Sequence, residues 1–125
     1  MHLSVSLNSK LPIYSQIVEQ IENQILTGHL KEGELLPSIR NLAQNLKISV
    51  ITTKRAYDEL EKKGLLTSVA GKGTFVSGNT KELIREDKCR GLENQLMQVI
   101  MKSKVLGINR EELINMLTFL YGEDE

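Results

Sequence analysis

Cysteine is almost absent from this chain: Cys89 is the only one, accompanied by two isolated histidines, His2 and His29. A single thiol cannot close an internal disulfide. With two scattered imidazoles it does not assemble a zinc site either, so Cys89 reads as an inert thiol and no cofactor or metal is expected. No uninterrupted apolar run exceeds three residues, which excludes a membrane span of about 20 residues. The opening MHLSVSLNSK has neither the cationic start nor the apolar stretch of a secretory signal, which points to the cytoplasm. An excess of charge of one sign is missing too. Sixteen Lys and Arg balance sixteen Asp and Glu, so global charge by itself does not argue for a nucleic acid. Nor does any set of nucleophile, base and orienting group suggest an enzyme. The run Gly71-Lys72-Gly73-Thr74 lacks the upstream glycine of a phosphate-binding loop.

What is present suffices for folding. Apolar residues make up 40% of the 125 and charged residues 26%, ordinary proportions for a globular chain with one main core and an appendage. The charge is polarised along the sequence. Between Leu36 and Gly73 seven cations face three acids, whereas from Lys81 onward seven cations face nine acids. A basic module facing an anionic surface, followed by a neutral or acidic tail, would have this distribution.

Ile13, Ile17, Ile21 and Ile25 recur every fourth residue with Tyr14 and Val18 beside them, which predicts an amphipathic helix opening at Pro12 and closing at Gly28. Gly33 marks a loop. Pro37-Ser38 then starts a short helix with Ile39, Leu42, Ala43 and Leu46 on one face, and Ser49 caps another that runs to about Lys63. Some three residues separate these two, the spacing of a helix-turn-helix. LLTSVAGKGTFVS alternates β-formers around a turn at Ala70–Gly73 and predicts a hairpin. A helix-turn-helix followed by a hairpin is a winged helix, so the expected fold class is α+β and mainly helical. Gly78-Asn79 sets the expected boundary: residues 1–78 form the winged helix and residues 79–125 a two-helix tail. Asn109 and Glu112 match a capping box at the start of the second tail helix.

Three stretches, PIYSQIVEQIENQILTGHLKEGELLPSIRNLAQNLKIS, KRAYDELEKKGLL and GKGTFV, together resemble the amino-terminal winged-helix domain of the GntR family of bacterial transcription regulators. The likeness runs from about Pro12 to Val76, and the short helical tail is similar to the YtrA-like subfamily. This resemblance implies a DNA-binding homodimer whose tail supplies the dimer contact. It further implies a repressor of a palindromic operator, with a neighbouring transporter operon as its target. In the family pattern L-P-S-x-R the arginine, here Arg40, meets DNA, and Ser38 and Thr52 follow as phosphate or base contacts. Many relatives carry arginine where this chain has Val50, so one guanine contact is lost.

Helical phase places Val50, Ile51 and Lys54 outward if Ala56, Tyr57 and Leu60 pack inward with Thr53. Ser49 is a candidate for capping plus phosphate contact, and Lys54 is the leading candidate reader of its helix. Val50 and Ile51 are candidates for thymine methyls or for packing on the turn. Arg55 is more lateral, suited to solvation or an ion pair. Gly71, Lys72 and Gly73 form the wing tip, with Lys72 reaching a minor groove or phosphate. For each of these a plain structural role stands beside the functional one. Leu92, Leu96, Val99 and Ile100, widened by Met97 and Met101, form one tail stripe. Leu113, Ile114, Met116, Leu117 and Leu120 form a second. Two helices cannot enclose both, and pairing with a second copy would cover them. A winged helix that binds protein or RNA is the competing class. A small-molecule effector, the operator sequence and the sign of regulation have no residues assigned to them.

Overall fold

The computed structural model describes residues 1–122. Its elements are α1 (Ile13–Leu26), α2 (Ile39–Leu46), α3 (Val50–Lys62), β1 (Leu66–Val69), β2 (Gly73–Val76), α4 (Thr80–Val105) and α5 (Arg110–Tyr121). The chain divides into two compact units, residues 1–86 and 87–125. Among the described residues no helix is long and apolar enough to cross a membrane.

In the first unit the fourfold isoleucine spacing does what it predicts. Ile17, Ile21 and Ile25 are buried, and Ile13 and Tyr14 pack at the margin. Ala56, Tyr57 and Leu60 of α3 and Leu42 of α2 close the same core, so the three helices bury their apolar stripes against one another. Thr53 shares the inner face of α3 and is fully buried, its hydroxyl donating to the Ser49 carbonyl at 3.0 Å. The turn between α2 and α3 closes on Lys47, which takes a left-handed conformation (φ 57°) and lets the Ile48 amide return to the Ala43 carbonyl at 3.0 Å.

Leu66 pairs with Val76 and Val69 with Gly73 in the antiparallel hairpin. The segment around Gly33 is the expected loop, with Gly33 in a turn, and it runs alongside β2 through an isolated bridge at Leu35. Gly33 donates to the Val76 carbonyl, Val76 to that of Glu34 and Leu36 to that of Thr74, all within 3.0 Å, and Leu35 bridges Phe75. Two strands alone are marginal. The backbone bonds to Gly33–Leu36 fix the wing to the body.

Residues 2–6 are held by a ladder of glutamines. Gln24 donates to the His2 carbonyl at 2.6 Å. Gln20 pairs with both the amide and the carbonyl of Ser4, and Gln16 does the same with Ser6 at 2.8 and 2.9 Å. Four helical residues advance about 6 Å and two extended residues about 6.7 Å, so a glutamine at every fourth helical position meets every second residue of the extended segment. Primary amides thereby act as the edge of a sheet. Leu3, between the tethered residues, is buried in the core.

The first unit extends past residue 78 because Thr80 and Ile84 at the start of α4 are buried, Ile84 within the main core. In the second unit Gly107 (φ 74°) ends the turn after α4. The expected capping box is present, with the Glu112 amide donating to Asn109 Oδ1 at 2.9 Å and the Asn109 amide to Glu112 Oε1 at 3.3 Å. Yet no described residue of α5 is buried. Leu92, Leu96, Val99, Ile100, Met116, Leu117 and Leu120 are exposed, and Leu113 is only partly covered.

Candidate nucleic-acid interface

Three pieces of the first unit carry the expected contact residues, and the segment Gly33–Ser38 registers all three. Its backbone from Gly33 to Leu36 holds β2. Its Pro37 carbonyl accepts the Tyr57 hydroxyl of α3 at 2.7 Å. Its last residue, Ser38, caps α2, the side-chain oxygen accepting the Asn41 amide at 3.1 Å. Arg40, second in α2, is exposed and forms no ion pair among the described residues. It is free to meet an external anion.

At the start of α3, Ser49 caps by accepting the Thr52 amide at 3.0 Å, and its hydroxyl donates to Thr52 Oγ1 at 2.8 Å. Both hydroxyls are therefore engaged within the turn, and the Thr52 proton remains to donate outward. Val50 is 47% exposed and Ile51 81%. Lys54, expected to be the leading reader, is exposed but tied to Asp58 by an ion pair of 2.8 Å. The hydrogen bond and charge of Asp58 raise its pKa, so it stays cationic. Arg55 is lateral, as its phase predicts. Its guanidinium lies 3.8 Å from the centre of the Tyr14 ring, a cation–π contact and not an ion pair.

The wing turn is closed by the Lys72 amide donating to the Val69 carbonyl at 3.0 Å, with Gly71 at φ 76° and Gly73 at φ 120°. Gly73 is favoured by its φ, which disfavours any side chain, whereas a Cβ there would lie 2.7 Å from Leu35 Cδ1, the end of an exposed side chain that can move aside. Lys72 is exposed between them. Ser68 at the wing's stem donates to the Glu61 carboxylate of α3, so the hairpin is braced on α3 as well as on the Gly33–Leu36 segment.

Sequence reasoning named Ser38, Arg40, Ser49, Thr52, Lys54 and Lys72 but missed the groups that position them: Asp58, Tyr57, Leu35 and Glu61. The Lys54–Asp58 spacing of four is a readable signal for a helical ion pair. The reach from Tyr57 to Pro37 is not, because it joins residues 20 apart.

Known proteins share this arrangement. The chain is 35% identical over 111 residues to the HTH-type transcriptional repressor YtrA of Bacillus subtilis, covering 89% of this chain and 85% of that protein. A transcriptional regulator from Oenococcus oeni superposes with a TM-score of 0.79 at 33% identity, covering 94% of this chain and 98% of that one. The AraR DNA-binding domain, solved in complex with the operator ORX1, superposes with a TM-score of 0.55 at 34% identity, covering 62% of this chain and 99% of that one. The model of the bacterial regulatory proteins of the gntR family matches residues 13–76, half of the chain. The site just described lies within that span, and the chain belongs to the gntR family of bacterial regulatory proteins.

Proposed function

We propose that this regulator binds a palindromic DNA operator as a homodimer and represses transcription from it. The observation that carries the reading is the common registration of Arg40, the amino-terminal turn of α3 and the Lys72 wing tip on the segment Gly33–Ser38. Ser38, Ser49 and the free amides of the two helix starts suit phosphate oxygens. Val50, Ile51, Thr52 and Lys54 enter the major groove at the amino-terminal end of α3, as reading helices do. Gly71, Lys72 and Gly73 approach the backbone or minor groove beside it. Arg40 supplies a charged contact that no carboxylate among the described residues competes for.

One such unit makes few contacts, and a second copy doubles them. The exposed stripes of Leu92, Leu96, Val99 and Ile100 and of Leu113, Met116, Leu117 and Leu120 favour that copy as the partner of the tail. Repression is favoured by the printed functions of relatives, YtrA and NagR of Bacillus subtilis both being transcriptional repressors. A bound operator overlapping a promoter would exclude polymerase without any catalytic step.

Selection of bound duplexes from a random pool, followed by sedimentation with the selected duplex, tests the reading. An inverted repeat bound by two chains, with half-sites about one helical turn apart, is expected. Enrichment of no duplex, or preference for single-stranded RNA, would overturn it.

A further inference from the structure

We propose that Ile51, assisted by Val50, reads the 5-methyl group of thymine in the major groove of the operator, so that an apolar contact sets the specificity of α3. This rests on the DNA-binding reading above and names what that site recognises.

Most other side chains at the start of α3 are already engaged. Ser49 and Thr52 bond to each other, Lys54 is held by Asp58, and Arg55 lies on Tyr14. Thr53 is buried. Beside the Thr52 hydroxyl proton, the unengaged groups of the first turn are the branched side chains of Val50 and Ile51. Their placement differs. Thr53, Ala56, Tyr57 and Leu60 define the buried side of the helix, and at about 100° per residue Ile51 projects from the opposite side. Its 81% exposure agrees. Val50 sits nearer the flank and is half covered. Ile51 contributes nothing to the core, and leaving it in water is unfavourable, which makes it poised for an apolar partner.

Of the four base-pair arrangements, only those containing thymine offer an apolar group in the major groove. A β-branched residue in a helix has one strongly preferred χ1 rotamer, so little freedom is lost on contact. The cations nearby act elsewhere: Arg40 and Lys72 lie on other elements, and Lys54 in its ion pair suits the phosphate chain better than a base edge. Asp58, one turn beyond Lys54, disfavours a deep approach of the phosphates to the rest of α3. Contact is thus concentrated on the turn that Ile51 occupies.

Deoxyuridine provides the test, because it removes the thymine methyl and leaves every hydrogen-bonding group in place. The full chain is titrated by fluorescence anisotropy against the selected duplex and against duplexes carrying deoxyuridine at one thymine of each half-site in turn. At one or two positions the wild type should bind about fourfold more weakly per methyl removed, the effect of losing burial of one such group. The Ile51→Ala variant, which should keep the wild-type melting temperature because the residue is exposed, should show no penalty at those positions. Val50→Ala should keep most of it. Selected half-sites without thymine, no penalty at any position in the wild type, or an undiminished penalty in Ile51→Ala would each overturn the inference while DNA binding itself stands. If no duplex binds at all, the functional reading beneath it fails instead, and this inference with it.

Discussion

The phenolic hydroxyl of Tyr57 donates to the carbonyl of Pro37 at 2.7 Å, joining the middle of α3 to the residue just before the Ser38 cap. Tyr57 is buried, and burial pushes its pKa well above the ordinary tyrosine value. Removing the bond with Tyr57→Phe leaves the Pro37 carbonyl without its side-chain donor and should cost about 1 to 1.5 kcal/mol at neutral pH by chemical denaturation. The sign with pH follows from the raised pKa. Folding favours the neutral phenol, so this contribution is complete below the unfolded value of about 10 and is lost as pH rises through it toward the folded value. Wild type should therefore lose more stability than Tyr57→Phe between neutral and strongly alkaline pH. Equal losses would disconnect Tyr57 from the alkaline transition.

Gln16 is buried and makes three bonds to backbone, two with Ser6 and one to the Leu11 carbonyl at 2.9 Å. Gln16→Ala should destabilise the first unit by about 2 kcal/mol, since the freed backbone groups recover only part of their hydration. Hydrogen exchange at the amide of Ser6 should accelerate, with Ser4 following. Gln20→Ala, at a more exposed rung, should do less. Unchanged exchange at Ser6 would show that the amino-terminal segment holds its place without the ladder.

On the selected operator, Arg40→Ala should weaken binding by about 1 to 3 kcal/mol. Lys54→Ala should weaken it as well, whereas Asp58→Asn should strengthen it by removing a negative charge from the phosphate side and releasing Lys54. Lys72→Ala should lower affinity about equally for all sequences and reduce the log–log salt slope by about one unit. Binding isotherms at several salt concentrations separate these outcomes. A selective loss at one base pair in Lys72→Ala would mean that the wing reads sequence.

In the tail, Leu96→Glu or Leu117→Glu would place a carboxylate in the apolar seam and should cost several kcal/mol of association. The winged helix should remain folded, because its core of Ile17, Ile21, Leu42, Ala56 and Leu60 lies in the first unit. Sedimentation should then show monomers, and affinity for the full palindrome should fall toward that of one half-site. A charged variant that still sediments as a dimer and binds the palindrome tightly would remove the tail from the interface.

Local chemistry determined much of this protein before any folding partner was considered. The isoleucine period fixed α1, the Ser38, Ser49 and Asn109 caps fixed three helix starts, and alternation around Ala70–Gly73 fixed the hairpin. Each depends on residues within a few positions of one another, so each is readable in order along the chain. The outward phase of Ile51 and Lys54 was legible for the same reason, whereas Val50, expected outward with them, lies nearer the flank and is half covered. Tertiary structure alone decided how these pieces are tied. The backbone bonds of Gly33–Leu36 to β2, the Tyr57–Pro37 bond and the glutamine ladder all join groups far apart in sequence. Their partners are backbone carbonyls and amides, which every residue carries and no side-chain pattern marks. Whether Lys54 faces outward was a matter of helical period; that Arg55 rests on Tyr14 required α1 and α3 to pack first.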